Sequence, residues 1–299
     1  METRLTQFAD ALGERAQRNV PLAPRTTFRV GGPADVLVEA KTLDELIACV
    51  RLSREYAIPM FILGNGSNIL VRDGGIRGLV LENHCANFSM DVTNSILHVE
   101  SGASLPGIAN RMARQGWSGL EWAIGVPGTF GGAIVGNAGA HGGCIADNIL
   151  RVTILDATNQ VRELPRTDCA FEYRASRFKH THDEIVLSAE FTLKRDEPAA
   201  CIARMNEYTE RRRRAQPTEA SVGSMFKNPP GDFAGRLIEH AGLKGTCMGQ
   251  VEVSLVHANF FVNHGGATAD DVLQLIERVR ATVREKFAIE LELEIQVVG

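Results

Sequence analysis

The chain has 299 residues, 44% hydrophobic and 23% charged, with a formal net charge of −4 at pH 7. A chain of this length divides between two or three cores, and its composition is that of an ordinary soluble globular protein. The acidic balance argues against a mainly nucleic-acid role, and no apolar run approaches the roughly twenty residues of a membrane span.

The N-terminus carries charges where a secretory signal needs an apolar core, so a cytoplasmic protein is expected. The six cysteines, Cys49, Cys85, Cys144, Cys169, Cys201 and Cys247, form no C-x-x-C pair and are expected to be buried free thiols. His180 and His182 have the spacing of two ligands on one strand face. No third ligand accompanies them, so the segment reads as an exposed polar loop and no metal site is predicted.

Residues 1 to about 20 have Leu5, Phe8, Ala9 and Leu12 at helical spacing, with Pro21 and Pro24 ending the helix. Residues 34–40 read as a strand. Thr42 and Glu45 then make a capping-box signature for a helix that buries Leu43, Leu46, Ile47 and Val50. Short strands follow at 60–63, 69–71 and 79–81. Between the first two lies Gly64-Asn65-Gly66-Ser67-Asn68, which begins like G-x-G-x-x-G but has Ile69 in place of the third glycine and feeds a strand instead of a helix. This excludes the Rossmann fingerprint. The segment reads either as a phosphate loop or as a plain turn.

A second region begins near residue 84, with a strand at 96–100 and a helix at 104–115 closed by Gly116. Residues 125–143, GVPGTFGGAIVGNAGAHGG, hold eight of the 29 glycines and no Asp, Glu, Lys or Arg. Such a stretch brings bare backbone close to something else, either a planar phosphate-bearing ligand or another domain. Strands at 152–156, 161–164 and 185–193 suggest an antiparallel sheet, and aromatic and arginine residues interleave at 171–178 without a clean period. A helix follows Asp196 with Pro198 in its first turn. Arg211–Arg214 spread around it and cannot all face one target.

The last third holds a short helix at 232–240, strands at 251–253 and 259–262, and a final helix capped by Thr268 and Asp271. That helix carries the stripe Val272, Leu275, Ile276, Val279 and Val283. The closing IELELEIQVV alternates strictly and reads as a half-buried strand, and alternation alone does not single out any of its glutamates. Seams fall near 83 and 197.

Seven blocks in order resemble the flavin-dependent UDP-N-acetylenolpyruvoylglucosamine reductases. They are TTFRVGGPA (26–34), LGNGSNILVRDGG (63–75), GLEWAIGVPGTFGGAIVGNAGAHGG (119–143), EYRASRF (172–178), GSMFKNPPGDFAGRLIEHAGLKG (223–245), HANFFVN (257–263) and EIQVVG (294–299). The resemblance implies an α+β fold: a two-subdomain FAD-binding body of the vanillyl-alcohol-oxidase type (1–83 and 84–197) with a C-terminal α+β substrate domain (198–299). It implies non-covalent FAD, with Gly64, Asn65, Gly66, Ser67 and Asn68 around the pyrophosphate. Pro127, Gly128, Thr129, Gly131, Gly132, Asn137, Gly139 and Ala140 would lie along the flavin.

It further implies NADPH-dependent reduction of the enolpyruvyl group of a UDP-sugar, a small-molecule reaction without nucleic-acid or membrane partners. In that reaction Arg174 binds the substrate carboxylate and Ser224 donates a proton. Glu294 orients Arg174 or, protonated, hydrogen-bonds the intermediate. Tyr173, Lys227, Asn228 and one of Arg212 or Arg214, with Arg214 the choice, are the substrate-binding candidates. The interval from Arg174 to Ser224 is too short for the tyrosine-loop insertion of the family's longer form, so the chain resembles the shorter type II form. A flavin oxidase of the same fold would lack GSMFKNP and EIQVVG, and a non-catalytic flavoprotein would have no use for all three of Arg174, Ser224 and Glu294.

Overall fold

A computed structural model of the chain describes residues 2–179, 181 and 183–299; His180 and His182 lie outside the described residues. The first sheet has the order Gln17–Pro21, Pro33–Ala40, Ile76–Asn83, Met60–Leu63, with the first pair antiparallel and the rest parallel. Helix Leu43–Glu55 buries Leu46, Cys49 and Val50 against Val38, Leu79 and Leu81 of that sheet. Thr42 Oγ1 accepts the Glu45 N–H at 3.3 Å, while the Glu45 carboxylate takes the N–H of Lys41, not of Thr42, at 2.7 Å.

The first helix is shorter than the sequence suggests. It spans Glu2–Leu12, and Gln17–Pro21 is an edge strand with an almost fully exposed pattern. No apolar alternation marks that strand, because its backbone ladder to Pro33–Ala40 makes it a strand and its side chains do not.

The second sheet is antiparallel throughout, in the order Val161–Pro165, Ile149–Leu155, Ile185–Thr192, Ile96–Glu100, Phe88–Asp91. Helices Leu105–Arg114 and Phe130–Val135 cover it, and Phe130 meets Phe191 edge-on with ring centroids 5.3 Å apart. Gly116, at φ +74°, ends the first of these helices as the sequence suggests. Helix Pro198–Ala215 is fastened beside this sheet by Arg204, which reaches Glu121 and Asp196 at 2.6 Å each.

The third sheet runs Ala220–Ser224, Phe260–Asn263, Val251–Val253, Cys247–Met248, all antiparallel. Helix Ala269–Phe287 lays Val272, Leu275, Ile276, Val279 and Val283 against its core, and Thr268 and Asp271 close the capping box at its start. The short helix before it is Ala234–His240.

The C-terminal tail departs from the strand expected of it. Its alternation holds, with Leu291 and Ile295 buried and Glu290 and Glu292 exposed. Only Gln296–Val298 is a strand, and it pairs in parallel with Ile69–Val71 instead of joining a large sheet. The preceding residues pair with 225–227: Lys227 N–H donates to Glu292 O at 2.8 Å and Glu294 N–H to Met225 O at 2.9 Å. The tail thus joins the first region of the chain to the last. Among the cysteines, Cys247 is exposed and Cys144 half-buried, against the expectation of six buried thiols.

Candidate active site

The segment 64–68 runs from Met60–Leu63 into Ile69–Val71. Among the described residues, none of its five backbone N–H groups meets a protein acceptor. Gly66 is buried and Gly64 and Ser67 are half-buried. Such N–H groups are rarely left in that state, and a run of unmet donors forms a nest for an anion. The glycine-rich stretch packs directly against this loop. Ser67 Oγ donates to Pro127 O at 2.9 Å, and a Cβ on Gly64 would come within 2.7 Å of Thr129 Oγ1. The N–H groups that open helix Phe130–Val135 are already taken: Phe130 by Ala103 O (2.9 Å), Gly131 by Ser101 O (2.7 Å), Gly132 by Thr129 Oγ1 (3.3 Å). The unmet donors therefore belong to 64–68, while 127–132 supplies a wall whose one bulky side chain, Phe130, is buried in the core against Phe191. Together they fit a pyrophosphate attached to a flat ring.

The far end of the glycine stretch reaches the chemistry. Gly139 and Ala140 form a two-residue ladder with Cys144 and Gly143. A Cβ on Gly139 would lie 2.8 Å from Gly143 O and 3.3 Å from Arg174 Nη1, so only glycine fits beneath the guanidinium. Arg174 sits at the tip of a tight turn in which Glu172 and Ala175 exchange backbone bonds of 3.0 and 3.2 Å. Its φ is +56°, a left-handed conformation uncommon for a non-glycine residue. Two side chains hold the turn: Asn137 Nδ2 donates to Glu172 O at 2.8 Å and Lys179 Nζ to Arg174 O at 3.1 Å. Asn137 Oδ1 also accepts from Ala146 N–H at 3.1 Å, so the amide ties the turn of Arg174 to the end of the glycine stretch.

Arg174 Nε donates to Glu294 Oε1 at 2.7 Å. The two nitrogens at the end of the guanidinium find no protein acceptor among the described residues. Burial pushes the Glu294 carboxyl above its usual range, against the pull of Arg174, Lys179 and Lys227. Burial and the neighbouring Lys227 and Arg174 push the Lys179 ammonium down. Three cations thus surround one carboxylate, and the site favours a further anion. The sequence alone does not single out Lys179; its position five residues after Arg174, with Phe178 buried between, is the only signal for it.

Ser224 ends the strand Ala220–Ser224 and lines a pocket of about 520 Å³ together with Asn228, Phe233, Arg236, Val256 and His257. The backbone pairing of Met225 and Lys227 with the tail sets Ser224 one residue from the contact that places Glu294. The Ser224 hydroxyl has no hydrogen-bond partner among the described residues. Tyr173 Oη accepts the Asn228 N–H at 3.4 Å, which links the Arg174 turn to the same segment. Lys227 Nζ pairs with the exposed Glu292 at 3.2 Å, and Asn228 Oδ1 accepts from Ala234 N–H at 3.1 Å, leaving its Nδ2 to donate.

The arginine run resolves by direction. Arg211, Arg213 and Arg214 pair with Glu207 and Glu210 on their own helix, and Arg214 is 80% exposed. Arg212 has no ion-pair partner among the described residues and turns in against Gly125, whose Cβ would lie 3.0 Å from its Nε. His141 stacks on Tyr208 nearby, with ring centroids 4.4 Å apart, and burial and Arg212 hold its imidazole below the usual range. Arg214 therefore lies away from the glycine wall and Arg212 beside it.

Comparison with known proteins agrees with this geometry. The family model for the C-terminal domain of UDP-N-acetylenolpyruvoylglucosamine reductase matches residues 216–298, and that for an FAD binding domain matches residues 34–165. The chain is 45% identical over 285 residues to UDP-N-acetylenolpyruvoylglucosamine reductase of Rubrobacter xylanophilus, covering 95% of each. It is 44% identical over 282 residues to that of Listeria monocytogenes, covering 94% of each. It superposes on the crystal structure of UDP-N-acetylenolpyruvylglucosamine reductase (MurB) from Thermus caldophilus with a TM-score of 0.83 at 36% identity, covering 95% of this chain and 99% of that one. The α+β fold class read from the sequence, a flavin-binding body with a C-terminal α+β domain, is the one found.

Proposed function

This chain belongs to the UDP-N-acetylenolpyruvoylglucosamine reductase family, and on that premise we propose how its residues carry out the family's reaction. The reaction is the NADPH-dependent, FAD-mediated reduction of UDP-N-acetylglucosamine enolpyruvate to UDP-N-acetylmuramate, a step in peptidoglycan precursor synthesis. FAD, when bound, would supply the hydride chemistry between NADPH and the vinyl carbon of the enolpyruvyl group, which no side chain can do.

The residues around it do the rest. The N–H groups of Gly64, Asn65, Gly66, Ser67 and Asn68 hold the FAD pyrophosphate, and Pro127, Gly128, Thr129, Gly131, Gly132, Gly139 and Ala140 form the wall along the flavin. The terminal nitrogens of Arg174 grip the substrate carboxylate as a planar fork and stabilise the charge that develops on it. Glu294 fixes the rotation of that fork by occupying Nε. Ser224 gives its proton to the carbon beside the carboxylate, where an enolate is basic enough to take it from a weak acid. Lys227, Asn228 and Arg212 hold the UDP phosphates, with Tyr173 bracing the backbone of Asn228. Arg212 replaces Arg214 in this role, because Arg214 is solvated and already paired.

Three bodies carry this division of labour: residues 1–83 and 84–197 for the cofactor and 198–299 for the substrate. The three larger sheets support that division, one falling in each range, although the cores interlock. Leu155, Ile185 and Leu187 pack with the first sheet, and Phe28, Val30 and Leu70 with the third. Helix Pro198–Ala215 packs on the second body through Cys201, Met205 and Arg204. Among the described residues no helix is long and apolar enough to cross a membrane. The small-molecule substrates of the family's reaction support a cytoplasmic enzyme acting without nucleic-acid or membrane partners.

The observation that carries the reading is the meeting of Arg174, Glu294 and the Ser224 segment at the end of the glycine wall. Stopped-flow measurement of the two half-reactions tests it. Ser224→Ala is expected to leave flavin bleaching by NADPH fast and to slow re-oxidation by the enolpyruvyl substrate about 10²- to 10⁴-fold. Normal rates in both halves would overturn the assignment.

A further inference from the structure

Ser224 reaches its position through an irregularity. The strand Ala220–Ser224 pairs Ser221 with Val262 and Ser224 with Phe260, so three steps on one strand match two on the other. The extra residue is a β-bulge, which bends a strand and re-aims the side chain beside it. Gly223 sits in it at φ +81°, with open space where a Cβ would go, so the backbone angle is what demands glycine there. Beyond the bulge the ladder stops, and residues 225–227 must satisfy their backbone groups elsewhere.

On one side the C-terminal tail pairs with them. On the other there is no strand, and one side chain stands in for it. Asn259 is 2% exposed. Its Oδ1 accepts the Phe226 N–H at 3.0 Å, and its Nδ2 donates to Phe226 O at 2.8 Å. Its own carbonyl accepts the Met225 N–H at 2.7 Å. A carboxamide has the same donor and acceptor as a peptide unit, so Asn259 continues the ladder with its side chain where its backbone cannot. The residue is itself fixed: its N–H donates to His257 Nδ1 at 3.2 Å, and burial holds His257 below its usual range, in keeping with an unprotonated Nδ1.

We propose that Asn259 is a positioning residue for the reduction: it makes a two-point amide clamp on Phe226 that holds Ser224, two residues earlier, at the angle from which it donates its proton. This rests on Ser224 being the proton donor. The clamp makes no hydrogen bond to the 64–68 nest or to Arg174. Because Met225 and Lys227, on either side of Phe226, pair with the tail that carries Glu294, flavin content and substrate Kd are the controls that separate an effect through Ser224 from one through Arg174. Geometry of this kind governs rate steeply, since displacing a reacting group by about 1 Å can cost on the order of 100-fold.

The test uses the flavin-loaded full-length enzyme and three variants, Asn259→Ala, Asn259→Asp and Ser224→Ala, alone and with Asn259→Ala combined with Ser224→Ala. Asn259→Ala is expected to keep the flavin absorbance and the rate of bleaching by NADPH within about twofold, and the substrate Kd within about threefold. The same variant should slow re-oxidation about 10- to 100-fold. Asn259→Asp keeps the acceptor for Phe226 N–H and loses the donor; it should fall between wild type and alanine, and it keeps the test open if the alanine variant fails to fold. In the Ser224→Ala background, Asn259→Ala should add less than a further twofold, because the group it positions is gone. Parallel losses in flavin content, bleaching and re-oxidation would reduce Asn259 to general stability. A full additional loss on top of Ser224→Ala would show that it acts through another group. Normal re-oxidation in Ser224→Ala would instead remove the reading of Ser224 itself.

Discussion

The Arg174–Glu294 pair permits a prediction that separates charge from hydrogen bonding. Both side chains are mostly buried, at 24% and 17% exposure, and the bond is 2.7 Å. If ionised attraction dominated, Glu294 would titrate below its ordinary value, yet burial pushes it above. The folded site thus disfavours the charged carboxylate more than Arg174 rewards it, as desolvated pairs can. Glu294→Gln removes the charge but leaves an oxygen for Arg174 Nε, and is expected to change stability by less than about 1 kcal/mol. Glu294→Ala removes the acceptor as well, and a hydrogen bond to a charged group is worth about 1.5–3 kcal/mol. At about 2–4 °C per kcal/mol for a chain of this size class, alanine should lower the melting temperature by about 3–12 °C and glutamine by no more than about 4 °C.

The pH dependence has a definite sign. A carboxyl whose folded pKa is raised contributes stability that is present below its unfolded pKa and is lost as pH rises through the folded value. The advantage of wild type over glutamine should therefore shrink as pH rises from about 4 towards neutrality. Thermal melts across that range are the assay. If glutamine falls as far as alanine at neutral pH, or the advantage grows with pH, the ionised pair is the main support of Arg174 and the reasoning fails.

Other consequences follow from the same geometry. Gly64→Ala puts a Cβ 2.7 Å from Thr129 Oγ1, which also caps Gly132. FAD affinity should weaken about tenfold, roughly 1.4 kcal/mol, as read by fluorescence titration of the flavin-free protein, and unchanged affinity would detach these two loops from the cofactor. Arg212→Ala should raise the Kd for the UDP-sugar substrate about tenfold or more, whereas Arg214→Ala should stay within about twofold; the reverse order would return the role to Arg214. Lys179→Met keeps the apolar stem but drops the bond to Arg174 O. It should lower kcat more than it raises KM, since the turn positions Arg174 and does not bind substrate itself.

Much of the fold is legible in the sequence because burial imposes periodicity. The stripe from Val272 to Val283 and the cap at Thr268 mark the last helix by spacing and residue type alone. The edge strand Gln17–Pro21 is illegible for the converse reason, since an exposed strand held by backbone bonds leaves no pattern in its side chains. The tail misleads in a subtler way. Its alternation is real, but the partners that fill its two sides come from residues 68–71 and 225–227, far apart in sequence.

At the site, Arg174, Ser224 and Glu294 are legible through the ordered blocks that surround them. Alternation cannot separate Glu294 from Glu290 and Glu292; its place in the block EIQVVG does, and the contact with Arg174 agrees with that choice. Likewise a run of four arginines gives no inward direction until the helix is docked on Gly125. Lys179 and Asn259 act through backbone carbonyls and N–H groups, and residue type does not announce such partners; nearness to Arg174 is the one signal for Lys179.

The central claim is that this chain passes reducing equivalents from NADPH to an enolpyruvyl UDP-sugar at one flavin site. An anaerobic spectral titration tests it most directly. The purified protein should show bound-flavin absorbance, NADPH should bleach it, and UDP-N-acetylglucosamine enolpyruvate added afterwards should restore the colour with formation of one equivalent of UDP-N-acetylmuramate per flavin. A protein that takes up no FAD, or a bleached flavin that this substrate leaves reduced, would contradict it.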